Sequence, residues 1–244
     1  AIIESTIDGI LVVSNDGKVL KANSKFKQLW NISDVIFETK DDQKIIDSIL
    51  EQLEEPEQFL KIVHELYNQP EEESLDILKF KDGKVFERFS MPYKMEGNIY
   101  GRVWSFSDIT KQKQTEEKLN NERIILRTII DNIPDAIYAK DLDFKKILAN
   151  KADFNNMGCK TETEAIGKTD FDVFPYEFAT VTYNDDKTVV ETGKPVVDRE
   201  ENLVDKDGHR KWILATKIPL IDQKGNISGI IGVGRNITKQ KKPS

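Results

Sequence analysis

The sequence has little of what builds disulfide frameworks, metal centres and membrane spans. It contains one cysteine, Cys159, and two histidines, His64 and His209, among 244 residues. One cysteine forms no internal disulfide and is compatible with a reducing cytoplasm, where we expect the protein to be located. No zinc or other metal site is expected, because these three residues do not supply four ligands. No apolar run approaches the about 20 residues that cross a bilayer, so we predict no membrane segment in this stretch.

The sequence also has fewer basic residues than acidic ones. Lys and Arg number 36 against 43 Asp and Glu, and the formal net charge is −7. A nucleic-acid-binding domain commonly has a basic face, so this balance predicts no nucleic-acid partner. The sequence also has no Ser/His/Asp set, Walker loop, kinase histidine box or nucleotide-cyclase signature. We therefore predict that this chain by itself is not an enzyme.

What the sequence does contain is an internal repeat. Ile109-Thr-Lys-Gln-Lys113 recurs letter for letter as Ile237-Thr-Lys-Gln-Lys241. The offset between matched positions runs from 125 residues (Lys81 to Lys206) to 128 residues (Ile109 to Ile237). The other matches are Asp8 with Asp135, Asn23 with Asn150, Lys81-Asp-Gly83 with Lys206-Asp-Gly208, and Gly101 with Gly229. A period this long indicates two tandem domains rather than a solenoid, whose repeats span about 20–50 residues.

Hydrophobic periodicity and turn residues predict the same order of elements in each half: two strands, several helices and three strands. Pro56 begins a helix in the first half, and the long helix of the second half is expected at Tyr176–Thr192. The last three strands are expected at Ser74–Phe80, Val85–Pro92 and Ile99–Ser107, and again at Val196–Val204, Lys211–Pro219 and Ile227–Arg235.

A charged segment without glycine or proline links the halves. We predict a helix over Thr110–Ile130, with an N-cap oxygen from Asp108 or Thr110. Leu119, Leu126 and Ile133 lie seven residues apart, which is the spacing of a coiled-coil seam. The alternatives are a solvated spacer helix and a helix that pairs with a second copy, which would make the protein a homodimer.

Both halves resemble the PAS sensor family. The motifs that support the resemblance are Asp8-Gly-Ile, Ala22-Asn23 and Gly-x₆-Asp108-Ile-Thr110 in the first half, and Gly167-Lys-Thr-Asp-Phe-Asp-Val-Phe-Pro175 in the second. The resemblance implies an α+β fold of two tandem domains, each a five-stranded antiparallel sheet with helices on one face. It places the first domain at residues 1–110, the linker helix at 111–131, the second domain at 132–239 and the start of a truncated output helix at 240–244.

The resemblance implies a sensory and signal-transducing region of a longer cytoplasmic protein, such as a sensor histidine kinase. Family members bind small ligands between the sheet and the long helix, and the signal leaves through the helix after Asp-Ile-Thr. This implies relay roles for Asp108, Thr110, Asn236 and Thr238, although Asn236 replaces an aspartate and cannot form a charged pair. One alternative is a dimerisation scaffold whose pockets are filled by their own side chains. Another is a redox sensor that holds haem or flavin.

We expect the second domain rather than the first to bind a small molecule, because its long helix is richer in polar residues. The candidate ligand-binding residues are Tyr183, Asn184, Arg199, Trp212 and Lys217. An arginine and a lysine that face inward suit a carboxylate or phosphate, so the expected ligand is an anion.

No cofactor is expected. Haem-binding members of the family place their iron ligand on the helix that contains His64, but this histidine lies at the edge of the apolar stripe, where a solvated side chain is the ordinary outcome. Cys159 lies outside the Asn-Cys-Arg-Phe pattern of the flavin photoreceptors. The protein should therefore be colourless, with haem at His64 as the alternative.

Overall fold

The computed structural model describes residues 2–204 and 210–241. The chain divides between Asn120 and Asn121 into two compact units, which are called the first and second domains below. Each has a five-stranded antiparallel sheet, which confirms the predicted fold. The predicted turn at Lys206–Gly208 and the side chain of His209 lie outside the described residues.

The first domain has the predicted order of two strands, several helices and three strands. Its strands are β1 (Gly9–Ser14), β2 (Val19–Ala22), β3 (Ser74–Lys79), β4 (Val85–Met95) and β5 (Asn98–Asp108). Its helices are α1 (Ser24–Leu29), α2 (Asp34–Glu38), α3 (Asp42–Ile49) and α4 (Pro56–Asn68). The strands lie in the order β2-β1-β5-β4-β3.

The linker helix and the second domain follow the same plan. Helix α5 (Thr110–Asn132) extends two residues beyond its predicted end. The strands of the second domain are β6 (Ala136–Lys140), β7 (Lys146–Ala149), β8 (Val196–Val204), β9 (Arg210–Ile221) and β10 (Ile227–Asn236). The helices are α6 (Lys151–Asn156), α7 (Glu162–Ala165), α8 (Tyr176–Thr192) and α9 (Thr238–Lys241). The order β7-β6-β10-β9-β8 repeats that of the first sheet.

A buried asparagine fixes the start of each domain. Asn23 Oδ1 accepts hydrogen bonds from the backbone N–H groups of Phe26 and Ile10, each at 2.9 Å. Its Nδ2 donates to the carbonyls of two residues that precede β1. Asn150 makes the same four hydrogen bonds among α5, β6 and α6 in the second domain. One amide therefore caps a helix and joins it to the incoming chain and the first strand, which explains why asparagine occurs in both halves.

The first domain has an aromatic core. The Trp30 side chain is fully buried, and four phenylalanine rings lie around it at centroid distances from 5.1 to 6.2 Å: Phe59, Phe80, Phe86 and Phe106. Phe59, Val63 and Leu66 of α4 are buried against this core, as the apolar stripe in the sequence predicts. The interior of this domain is thus largely filled by its own side chains.

Replacing Trp30 with alanine should destabilise the first domain by about 3–5 kcal/mol, because it removes a buried ring from a packed core. Urea unfolding followed by circular dichroism should show the first-domain transition at lower urea and the second-domain transition unchanged. The control is Leu75→Ala, since the Leu75 side chain is 65% exposed. Equal shifts for the two variants would contradict the packing described.

Candidate functional site

Among its described residues, the second domain buries three lysine side chains. Lys140 on β6, Lys146 on β7 and Lys217 on β9 are 1%, 2% and 1% exposed. A buried ammonium group is costly unless carboxylates lie close to it. The surrounding elements supply five buried carboxylates: Asp153, Asp170, Asp185, Asp186 and Glu201.

Each lysine contacts at least one of these carboxylates. Lys140 Nζ lies 2.5 Å from Asp170 Oδ2 and 2.6 Å from Asp186 Oδ2, and so joins α8 to the turn before it. Lys146 Nζ lies 2.7 Å from Asp153 Oδ2. These buried ion pairs between the sheet and the helices, with those of Lys217 and Arg199 described below, are called the ionic network.

The third lysine contacts α8 and β8. Lys217 Nζ donates to the carbonyl oxygen of Thr182 at 3.0 Å, and it lies 3.0 Å from Asp186 Oδ1. The nearest oxygen of Glu201, Oε1, is 3.6 Å away, which is longer than a hydrogen bond. Glu201 Oε1 makes no hydrogen bond within the described part of the chain, although its side chain is only 4% exposed.

The repeat relates part of this network to core positions of the first domain. The two capping asparagines set an offset of 127 residues, from Asn23 to Asn150. Strand pairing agrees with it, since Val13 pairs with Val19 and Lys140 pairs with Lys146. At this offset, buried apolar residues of the first domain correspond to polar ones of the second: Leu11 to Tyr138, Val13 to Lys140, Val19 to Lys146, and Phe26 to Asp153.

The periodicity of β9 and α8 explains why their charged side chains point into the domain. Along β9, alternate residues point inward, so Lys217 lies on the same face as the buried Ile213 and Ala215. On α8, Thr182, Asp185, Asp186 and Val189 face the sheet, because residues three and four apart share one side of a helix.

A cavity of 50 Å³ lies among these side chains. One water needs about 10–15 Å³, so the cavity has room for a few waters or for a very small organic molecule. Its polar lining is Tyr138, Lys146, Asp153, Asn156, Asp170, Thr182 and Glu201. Its apolar lining includes Phe174, Phe178, Leu203, Ile213 and Ala215. Apolar walls combined with convergent polar groups are usual in a small-molecule site, and this lining has both.

Burial and pairing shift the pKa values of the network in different directions. Desolvation raises the pKa of Glu201 and of Asp153, and it lowers the pKa of Lys146. Desolvation also acts to raise the pKa of Asp170, but Lys140 and Lys146 outweigh it and lower that pKa to about 2. Asp170 is therefore a firmly ionised member of the network, whereas Glu201 is a carboxyl group that burial favours in its protonated form.

The structure does not bring the five predicted ligand-binding residues together. Lys217 belongs to the network, and the half-exposed Arg199 pairs with Asp185 at 2.9 Å. Tyr183 and Asn184 are on the exposed side of α8, and Trp212 lies on the face of β9 opposite to Lys217. Whether any of them contacts a ligand stays a prediction. Both cations that were expected to receive an anion already face carboxylates.

Sequence reasoning missed most of the network. Lys140, Lys146, Asp153, Asp170, Asp186 and Glu201 were not singled out, because charged residues are ordinarily assigned to the solvent side. The available signal was the repeat itself. Alignment of the halves on Asn23 and Asn150 sets charged residues of the second half against apolar core residues of the first.

The predicted relay residues join the last strand of each sheet to the helix that follows it. Thr110 Oγ1 accepts a hydrogen bond from the backbone N–H of Val85 at 3.0 Å, and Asp108 Oδ1 accepts one from Thr110 N at 3.0 Å. Thr238 and Asn236 make the same two contacts in the second domain, the first with Trp212 N at 2.9 Å. Asparagine thus retains the capping hydrogen bond that aspartate makes, and its lack of charge costs neither of these contacts.

The predicted seam and the predicted haem ligand lie on exposed surfaces. Leu119 and Leu126 of α5 are 57% and 62% exposed, whereas Ile133 is half-buried and lies one residue beyond the end of the helix. His64 is on the exposed side of α4. Dimerisation through the seam and haem ligation by His64 both stay predictions.

Comparison with known families identifies the domains. A family described as "PAS domain" matches residues 1–66, and one described as "PAS fold" matches residues 130–242. The chain belongs to the PAS family and consists of two tandem PAS sensor domains.

Two curated relatives are sensor proteins. The chain is 30% identical over 125 residues to the methanogenesis regulatory histidine kinase FilI of Methanothrix harundinacea, covering 51% of this chain and 14% of that protein. It is 26% identical over 142 residues to the virulence sensor protein BvgS of Bordetella pertussis, covering 57% of this chain and 11% of that protein. The chain thus spans only a small part of each relative's length.

Solved structures include similar domains. The Vibrio cholerae VqmA dimer is 28% identical with a TM-score of 0.46, over 50% of this chain and 54% of that chain. The PAS domain of Bordetella pertussis BvgS is 24% identical with a TM-score of 0.41, over 51% of this chain and 92% of that chain. Across residues 2–204 and 210–241, no helix is long and apolar enough to cross a membrane.

Asp170 should make the stability of the second domain depend on acid. Its pKa of about 2 in the folded protein lies below the ordinary 3.8, so its contribution is present above pH 4 and is lost as the pH falls toward 2. The free energy of unfolding of wild type should exceed that of Asp170→Asn at pH 7. The difference should shrink by about 2 kcal/mol between pH 5 and pH 2.

Urea titrations at each pH measure this difference, and the exposed Asp143 provides the matched control, Asp143→Asn. A constant difference between wild type and Asp170→Asn over this range would show that Asp170 is not held ionised by the lysines.

Proposed function

We propose that this chain is the tandem sensory region of a cytoplasmic sensor histidine kinase, and that its second domain binds a small polar molecule in the 50 Å³ cavity. The main support is that cavity, which is lined by buried titratable groups. One of them is Glu201, whose Oε1 makes no hydrogen bond with any described residue. The kinase relative FilI and the sensor relative BvgS support the wider assignment. Kinase activity itself is proposed only for the longer protein.

The relay is proposed to run through β9. Ile213, Ala215 and Lys217 on this strand border the cavity or its ionic network, and Trp212 donates a backbone hydrogen bond to Thr238 at the start of α9. A ligand that shifts β9 would therefore shift the first turn of the output helix. The contact of Val85 with Thr110 offers the same route from the first domain into α5.

In the first domain we propose a structural and relaying role without an organic ligand. The cavity within its aromatic core has a volume of 20 Å³, which is about the space of one water. A larger cavity of 140 Å³ lies at one edge of that core, between α4 and β3. We also propose that no haem is bound at His64, because the side chain points away from the buried face of α4.

A second proposal concerns assembly: helix α5 pairs with the same helix of a second copy. None of its residues is buried in the described chain, although it contains five exposed aliphatic side chains: Leu119, Ile124, Ile125, Leu126 and Ile129. Exposed isoleucine and leucine on one helix favour an apolar partner, and an identical helix supplies the same side chains. This keeps the dimerisation scaffold as a companion function to sensing.

Filling the cavity should abolish ligand binding. Wild-type protein and Ala215→Leu are compared by thermal unfolding against a panel of polar compounds of up to about five heavy atoms, the size that a few waters would occupy. A compound that binds should stabilise wild type by about 2.7 kcal/mol at a hundredfold excess over its Kd, and should leave Ala215→Leu unchanged.

The matched control is Thr216→Leu, which adds bulk to the opposite face of the same strand. Stabilisation of Ala215→Leu equal to that of wild type would contradict the cavity as the binding site. A panel without any stabilising compound would contradict ligand sensing by this domain.

Leu126→Asp should weaken dimerisation, because the paired helices would bury an uncompensated charge at a cost of several kcal/mol. Light scattering over a range of concentrations measures the change in the dimer dissociation constant. Asn121→Asp adds the same charge at an exposed polar position and should have little effect. Wild-type protein that is monomeric at all concentrations would show that α5 is only a spacer.

A further inference from the structure

Carboxylates outnumber cations in the buried network of the second domain. The described residues that belong to it are five carboxylates, Asp153, Asp170, Asp185, Asp186 and Glu201, and four cations, Lys140, Lys146, Lys217 and Arg199. Among the described residues, one negative charge of the network therefore has no matching positive charge. An uncompensated charge in a low-dielectric interior favours the uptake of a proton or of a cation.

The excess is located at Glu201. The other four carboxylates each have a cation within 3.0 Å, whereas Glu201 Oε1 is 3.6 Å from Lys217. Within the described residues Asp185 Oδ2, Asp186 Oδ1 and Glu201 Oε1 make no hydrogen bond, but the two aspartate oxygens lie within 3.0 Å of a cation. Lys217 is closer to Asp186 and to the carbonyl of Thr182, so two of its three donors already have partners. Glu201 also borders the cavity directly. A carboxylate that lines a cavity and has a buried oxygen without a hydrogen bond gains from a donor on a bound molecule.

We propose that the ligand of this cavity is a small organic cation, a protonated primary amine, whose N–H groups bind the carboxylate of Glu201. The proposal rests on the proposed function, because it assigns the chemical class of the ligand for that same cavity. It reverses the charge expected from the sequence, since the lysines serve as counter-ions of carboxylates and do not present free donors.

Neither an anion nor a metal ion fits this arrangement as well. An anion would enter a site that already has an excess of negative charge, and would have to compete with buried carboxylates for the lysines. The described residues contain no cluster of His, Cys, Asp or Glu arranged to hold a metal ion. A primary ammonium group has three donors on a compact charge, and Thr182 adds a hydroxyl oxygen to the same cavity.

Proton linkage gives the cation a distinctive pH dependence. The groups that face Glu201 are Lys217 on β9, Asp185 and Asp186 on α8, and Tyr138 on β6. Burial raises the pKa of Glu201, and the two aspartates add to that effect while Lys217 opposes it. A bound ammonium group needs the ionised carboxylate, so its affinity should fall as the pH falls through the pKa of Glu201. An anion would show the opposite trend.

The test uses four probes of nearly equal size: ethanolamine as cation, glycolate as anion, ethylene glycol as neutral compound and glycine as zwitterion. Isothermal titration calorimetry on the whole chain should show that ethanolamine binds most tightly. Its affinity should fall at least tenfold in Glu201→Gln. It should be unchanged in Glu200→Gln, which alters the neighbouring carboxylate that pairs with Lys241 at 2.8 Å.

The outcomes separate the two proposals. Tighter binding of glycolate than of ethanolamine, or a gain of glycolate affinity in Glu201→Gln, would overturn the cationic ligand and leave a ligand-binding cavity intact. Failure of all four probes to bind wild type would count against the cavity as a site for any molecule of this size, and so against both proposals. The pH profile of ethanolamine binding to wild type needs no variant, and an affinity that rises as the pH falls would also overturn the cationic ligand.

Discussion

The second domain depends on the pairing of buried lysines with buried carboxylates. An ammonium group that leaves water is stable only when oxygens replace its hydration shell, and this requirement fixes where β6, β7 and β9 lie against α6 and α8. Lys140 contacts both Asp170, in the turn before α8, and Asp186, on α8. Such contacts are directional, unlike the packing of Phe rings around Trp30, and so they can hold side chains around a cavity without filling it.

The two domains show how one fold serves two purposes. They share strand order, the capping asparagine and the threonine that joins a strand to the next helix. They differ at positions that face the interior, where Val13 and Val19 correspond to Lys140 and Lys146. The conserved set forms the frame and its output contact, whereas the exchanged set decides whether the interior is packed or polar.

The strand that lines the second-domain cavity is bound directly to the helix that follows the domain. Trp212 is adjacent to Ile213, which lines the cavity, and its backbone N–H binds Thr238 Oγ1. No long pathway of side chains is needed, because the strand that borders the cavity is also the strand to which the following helix is bound. In the proposed dimer, the exposed aliphatic residues of α5 contact the same helix of a second copy, and a movement of α5 would change that contact.

The sequence by itself determined the fold of this protein. The repeat indicated two tandem domains, and the turns and apolar spacing indicated their strands and helices, including α8 at Tyr176–Thr192. These signals are readable because hydrophobic periodicity and turn chemistry depend on residues close together in the sequence. Only the tertiary structure decided the candidate site. Lysine and aspartate are ordinarily solvated, and nothing local marks Lys140 or Asp186 as buried. Lys140 binds Asp170 and Asp186, which follow it by 30 and 46 residues in the sequence. Only the folded chain brings these residues within hydrogen-bond distance.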